Sequence, residues 1–216
     1  MPKSPAPSPP PRHRDAAATR EAILASARRA FARAGYDGAG VREIAAGAGV
    51  TAMLVNRYFG SKEQLFAEVV EQTMTSNSVI ASGIMDAPDP ARALAAALVE
   101  MTRADATPLD GFLISLHSAS SPAAARIGRE KIEAHHLKTV TQALGGKLAG
   151  ERAALLLAVI SGFQVMRQMM GLSVLANADE RELANLLAEL LNELIAPAEH
   201  SSQSRTPKRV PVSGRQ

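Results

Sequence analysis

VREIAAGAGVTAMLVNRYFGSK, residues 41–62, is the stretch whose reading decides the architecture. Val41, Ile44 and Ala45 recur at helical spacing and give a short first helix one apolar stripe. Gly49 supplies the left-handed backbone that a sharp turn between helices needs. Val50 then faces the core, and Thr51 caps the free amides at the start of a second helix. Ala45 is small where the two helices must approach closely. This is the layout of a helix-turn-helix, whose second helix enters the DNA major groove. An ordinary helical hairpin is the competing reading of the same spacing.

The surrounding sequence narrows that choice. Residues 19–70 resemble the tetracycline-repressor (TetR) family of bacterial transcription regulators. The resemblance is carried by Phe31, Gly35 and Tyr36 at the end of an amphipathic first helix, and by the V-R-E-I-A opening of the second. Ala48-Gly49-Val50 follows, then Tyr58-Phe59, Ser61-Lys62-Glu63 and Leu65-Phe66. Two positions depart from the family pattern. Asn56 stands where the family usually has Tyr, and Gly40 where Ser or Thr usually caps helix two. Glycine caps less well, so a weaker start to helix two is expected.

With Val50 and Val55 turned to the core, helix three directs Ala52, Met53, Asn56 and Arg57 outward, with Leu54 at the margin. The family resemblance implies base-edge contacts from Ala52, Met53, Leu54 and Arg57. It implies phosphate contacts from Arg42, Thr51, Asn56, Tyr58 and Lys62. Arg57 is the single charged side chain of this helix and suits bidentate guanine recognition. Met53 and Leu54 offer apolar surface to thymine methyls; mere exposure of Met53 and core packing of Leu54 are the alternatives.

Charge is distributed to match. Residues 1–75 carry 10 Lys and Arg against 7 Asp and Glu, residues 76–196 carry 10 against 13, and residues 197–216 carry 4 against 1. The basic excess lies at the DNA-reading end and in the tail, and the middle is mildly acidic. There are no cysteines among the 216 residues, so disulfides and thiolate metal sites are excluded. The N-terminus has no apolar run of the secretory type. The apolar run from Ala153 to Met166 is too short to span a bilayer and reads as a buried core helix. A cytoplasmic protein without a membrane partner is expected.

The fold class expected is all-α, because no stretch has the alternating β-branched pattern of strands. Residues 1–14 form a Pro-rich basic arm, expected to be disordered, in which Arg12, His13 and Arg14 precede helix one. Residues 15–60 form the helix-turn-helix domain, with helix one over 15–34 burying Ile23, Ala27, Ala30 and Phe31 and stopping at Gly35. Residues 61–196 form a helical regulatory and dimerisation domain, and 197–216 a disordered basic tail. Ser61 to Gln64 reads as a capping box opening helix four. Further helices are expected near 90–104, 108–118, 122–144, 151–172 and 179–195.

The last two helices are apolar over more surface than one neighbour covers. A homodimer is therefore expected, with Leu156, Ile160, Leu183, Leu187, Leu190 and Leu194 at the interface and a palindromic DNA site as its target. The family resemblance implies a small-molecule effector bound in the helical body. Phe112, Phe163, Met166 and Met170 suit an apolar ligand, with His117, His135 and Arg167 as polar contacts; ordinary core packing is the alternative for each. No cofactor, metal or catalytic residue is expected. Glu133 and His136 make one Glu-x-x-His, but a di-iron bundle needs a second pair and two more glutamates. Gly145-Gly146-Lys147 lacks the rest of a P-loop. The other functional class left open is a helical adaptor whose helix-turn-helix binds protein.

Overall fold

The computed structural model describes residues 12–76, 83–103, 105–107 and 109–196. The expectations for the arm before residue 12 and for the tail after residue 196 lie outside the described residues. Among the described residues every regular element is helical. The head comprises α1 (Arg12–Gly38), α2 (Val41–Gly47), α3 (Ala52–Phe59) and α4 (Lys62–Ser76). The body comprises α5 (Pro90–Met101), α6 (Asp110–Ser118), α7 (Pro122–Ile132), α8 (Lys138–Leu144), α9 (Ala149–Gln164), α10 (Ser173–Ala176) and α11 (Glu180–Ile195). A π-helical turn, Glu133–Leu137, joins α7 to α8, and a second, Val165–Met169, extends α9.

Helix α1 begins at Arg12, so Arg12, His13 and Arg14 belong to the helix and not to the arm expected before it. Its regular run ends as expected at Gly35, where the backbone adopts φ 66° and ψ −177°. That combination is essentially confined to glycine.

Two apolar cores result. The first joins Ile23, Phe31, Ile44, Val55, Phe59, Leu65, Phe66 and Val69 of the head to Ile114 of α6 and Ala124 and Ile127 of α7. Phe31, Tyr36 and Phe66 form an aromatic cluster inside it, with Phe66 edge-on at 5.0 Å to both other rings. The same core takes in Phe59 of α3 and Leu65, Phe66 and Val69 of α4, on either side of residues 60 and 61. The second core joins Leu94 and Leu98 of α5, Val140 of α8, Leu156 and Ile160 of α9, and Leu183, Leu187 and Leu191 of α11.

This second core corrects the expected interface. Leu156, Ile160, Leu183 and Leu187 are buried within a single chain, because α11 packs along α5 and against α9 in this core. Leu194 is half-buried against the same core. Of the six, only Leu190 is left open, at 51% exposure; Leu155 and Leu186 of the same two helices are open at 55% and 66%.

Two arginines tie the body together. Arg152 Nη1 donates to the carbonyls of Leu194, Ile195 and Ala196 at 3.0–3.4 Å, and Nη2 donates to that of Gly145. It thereby satisfies the terminal acceptors of α11, where a helix also favours positive charge. Arg167 donates to the carbonyls of Val99 and Leu175 and to Thr102 Oγ1. The helix from Ala149 to Met169 exceeds the Ala153–Met166 run and is long and apolar enough to cross a membrane by length and composition. Its inner face buries Arg152, Ala153, Leu156, Ile160 and Arg167, but only 28% of its apolar window is covered, so it is not the buried core helix expected: its outer face stays exposed in the single chain.

Helix α4 meets α7 and the following π-turn through charge. Glu71 pairs with Lys131 Nζ at 2.5 Å and with His135 Nε2 at 2.7 Å. The hydrogen bond from Lys131 is the main reason the Glu71 carboxyl titrates below its ordinary range. Burial pushes the neighbouring His136 imidazole below its ordinary 6.5, against the opposing effect of a backbone hydrogen bond at Met74. The unfolded chain then binds more protons than the folded one just below that value, so stability rises with pH there. Melting temperature is expected to fall as pH drops from about 6.5 to about 5, and His136→Gln to flatten that limb. An equally steep limb in the variant would assign the acid sensitivity to other groups.

Candidate nucleic-acid interface

The turn between α2 and α3 is built from backbone geometry. Gly49 has φ +68°, and the amides of Ala48, Gly49 and Val50 donate to Ile44, Ala46 and Ala45 respectively, closing the end of α2. Thr51 Oγ1 accepts from the Leu54 amide at 3.3 Å and caps α3 as expected. Gly40 precedes α2 with no side-chain cap, also as expected. Gly60, at φ +74°, ends α3, and Ser61 Oγ accepts from Gln64 N at 3.1 Å to open α4. The Ser61 amide bonds instead to Phe59 O, leaving the expected capping box half made.

Helices α2 and α1 approach closely at Gly47, where a Cβ would collide with Ser26 Oγ. Ser26, buried within α1, donates to Ile44 O at 2.8 Å and holds α2 in place. A serine on the otherwise apolar face of helix one was the available sequence signal for this contact.

These supports decide which face of α3 is free. Val55 and Phe59 are buried and anchor one side. Met53, Asn56 and Arg57 are exposed on the other, Met53 at 81%. Ala52, Leu54 and Tyr58 are half-buried on the flanks and pack partly inward. Thr51 is exposed at the N-terminus of α3, and Arg42 is exposed on α2. Lys62 begins α4 with its ammonium 4.6 Å from the centre of the Tyr36 ring, a cation–π contact. Burial, then the nearby Glu63 and Asp37 carboxylates, push the Tyr36 phenol above its ordinary value, so the ring stays neutral beneath Lys62.

Electrostatics favours an anion at this face. Among the described residues Arg42 and Arg57 have no ion-pair partner, whereas the carboxylates nearby are occupied. Glu43 is paired with Arg33, Glu63 with Arg126, and Glu68 with Arg20. The outward face therefore carries free positive charge beside side chains suited to base edges.

The seven candidate effector contacts are not assembled into one site. His117 Nδ1–H donates to Ala32 O at 2.6 Å and joins α6 to α1. Phe112 is half-buried on the same helix, α6. His135 is engaged with Glu71 and Arg167 with carbonyls of the body. Phe163 packs against the second core, while Met166 and Met170 are exposed at 47% and 68%. A cleft of about 370 Å³ is lined by Ser61, Gln64, Ala67, Arg126, Ile127 and Lys131, among others, between α4 and α7, and it includes none of the seven.

Comparison with known proteins agrees with this geometry. Residues 23–69 match the model for bacterial regulatory proteins of the tetR family, and residues 89–195 match the tetracyclin repressor-like C-terminal domain. The chain belongs to the TetR family. Among solved TetR-like folds, a transcriptional regulator from Rhodococcus sp. Rha1 is 24% identical with a TM-score of 0.59, over 81% of this chain and 96% of that one. NalD, described as the secondary repressor of the MexAB-OprM multidrug efflux pump in Pseudomonas aeruginosa, is 20% identical with a TM-score of 0.58, over 86% and 99%. The multidrug binding protein EbrR, solved with ethidium, is 21% identical with a TM-score of 0.59, over 82% and 99%. No curated protein matches the chain. Both the head and the body of this TetR-family member are thus matched by family models.

Proposed function

We propose that this TetR-family chain is a cytoplasmic, non-enzymatic repressor of transcription that binds a palindromic operator as a homodimer and is released by a small apolar effector. The observation that carries the reading is the outward face of α3, where Met53, Asn56 and unpaired Arg57 stand opposite buried Val55 and Phe59. Arg57 takes a guanine edge, while Arg42, Thr51, Tyr58 and Lys62 hold phosphates. The dimer is supported by the apolar stripe left open on one chain: Leu155, Ala158, Gly162 and Met166 on α9 and its extension, beside Leu186 and Leu190 on α11. Burying that stripe against its copy places two reading heads on one palindrome.

The effector proposal is supported by family membership and by the union of α6 with α1. His117 donates to Ala32 O, Tyr36 N–H donates to Ser118 Oγ at 2.9 Å, and Ser121 Oγ donates to Asp37 Oδ1 at 3.2 Å. A ligand that favours a different placement of α6 moves the head with it, which lowers DNA affinity by its differential binding to the two states. EbrR, with bound ethidium, is a TetR-like fold that holds such an apolar cation.

Variants of the head test the reading. Arg57→Ala is expected to cost roughly 1–3 kcal/mol on the cognate site and to flatten preference at one base position. Lys62→Ala should weaken cognate and random DNA alike and reduce the salt slope by about one unit. Titrations at several salt concentrations against selected and random duplexes measure both. Unchanged sequence preference in Arg57→Ala would remove Arg57 from base readout. Absence of any salt-dependent DNA binding by the intact protein would favour the protein-binding adaptor.

A further inference from the structure

We infer that Met53 reads the 5-methyl group of a thymine in each operator half-site, about two base-pair steps from the guanine taken by Arg57. This rests on the DNA-reading function proposed above and specifies the chemistry of its target.

The geometry of α3 carries the argument. Successive helical residues turn by 100°, so Met53 and Arg57, one turn apart, point almost directly away from Val55 and Phe59. Every other apolar side chain of the helix is covered at least in part: Val55 and Phe59 fully, Ala52, Leu54 and Tyr58 on the flanks. Met53 alone stands 81% exposed, the most open large apolar side chain among the described residues. The remaining strongly exposed ones lie on α9, α11 or the segments beside them, so Met53 belongs to no shared apolar patch.

What meets Met53 on docking is set by the groove. A base-pair edge in the major groove presents hydrogen-bond donors and acceptors and a single kind of apolar group, the thymine methyl. Met53 has no polar atom able to satisfy a donor or acceptor strongly, so stripping water from one beneath it would be unfavourable. A methyl is the complementary surface, and an unbranched thioether conforms to it easily. Four residues along a helix advance about 6 Å, and stacked base pairs rise about 3.4 Å, which sets the separation from the Arg57 guanine at about two steps.

The test uses the full-length protein and duplexes enriched from random DNA. Each thymine of the enriched half-site is replaced in turn by deoxyuridine, which removes only the methyl. For the native protein, one thymine per half-site is expected to lose about fourfold in affinity, the worth of one buried methyl-sized group. Met53→Ala should bind the thymine and deoxyuridine forms equally, Met53→Leu should keep part of the difference, and Arg57→Ala should keep it while losing the guanine preference nearby. Enriched DNA on which no deoxyuridine substitution matters would overturn the inference while leaving DNA reading intact. So would a thymine preference undiminished in Met53→Ala. Failure to enrich any sequence would remove the DNA-reading function itself, and this inference with it.

Discussion

Leu187→Glu is expected to unfold the body, whereas Leu190→Glu should leave each protomer folded and separate the proposed homodimer. The two positions lie three residues apart on α11, yet Leu187 is 6% exposed inside the second core and Leu190 is 51% exposed on the open stripe. A carboxylate at Leu187 has no partner among Leu94, Leu98 and Leu191, and its burial should destabilise by more than about 4 kcal/mol. Helical circular dichroism would be lost at room temperature, or the melting transition would fall sharply. At Leu190 the free protomer keeps the carboxylate in water, and the penalty arises only when a second copy covers it. Sedimentation at micromolar concentration should then show a folded monomer with native helix content, and Leu186→Glu should behave alike. Operator affinity would drop steeply in both, since each head would bind its half-site alone. A native-like dimer in both variants would move the interface elsewhere.

Gly35→Ala should be the most damaging single-methyl substitution in the head. At φ 66° and ψ −177° the backbone occupies a region that costs other residues roughly 1–3 kcal/mol, and a Cβ would also collide with the carbonyl oxygen of His117. Neither α1 nor α6 yields easily there, because His117 bonds to Ala32 O and the Tyr36 amide to Ser118 Oγ on either side. The sum is expected to exceed about 3 kcal/mol, with the first core, which joins head to body, melting before the second. Gly40→Ser is the matched control: its backbone is extended, a Cβ there meets nothing within 4 Å, and serine is the better cap. Comparable losses in both variants would show that general perturbation of the head, and not the Gly35 contact, is responsible.

The outward face of α3 is legible in the sequence because it depends on few residues close together. Gly49, Val50, Thr51, Val55 and Phe59 settle the turn, the cap and the anchored side of α3 within eleven residues. Once those are placed, Met53, Asn56 and Arg57 can only face outward. The clasp of Ser26 on Ile44 O joins residues 18 apart: the apolar periodicity of helix one turns that serine inward, but nothing local names the carbonyl it meets. The effector candidates failed to converge for a related reason. Phe, Met, His and Arg suit a ligand by chemistry, but Arg167 and His117 are occupied by backbone carbonyls that other helices bring to them.

The amino-acid sequence by itself determined the all-α class, the ends of most helices, the helix-turn-helix and its exposed side chains. Each follows from backbone preference, capping or the periodicity of apolar residues over one or two turns. Only the tertiary structure decided which apolar residues of the last two long helices are core and which remain open. Leu187 and Leu190 are chemically identical and both lie on the apolar side of α11, so their different roles come from where α5 and α9 stand. Coverage of a helix face is a property of its neighbours, and a leucine carries no local mark of which neighbour will reach it.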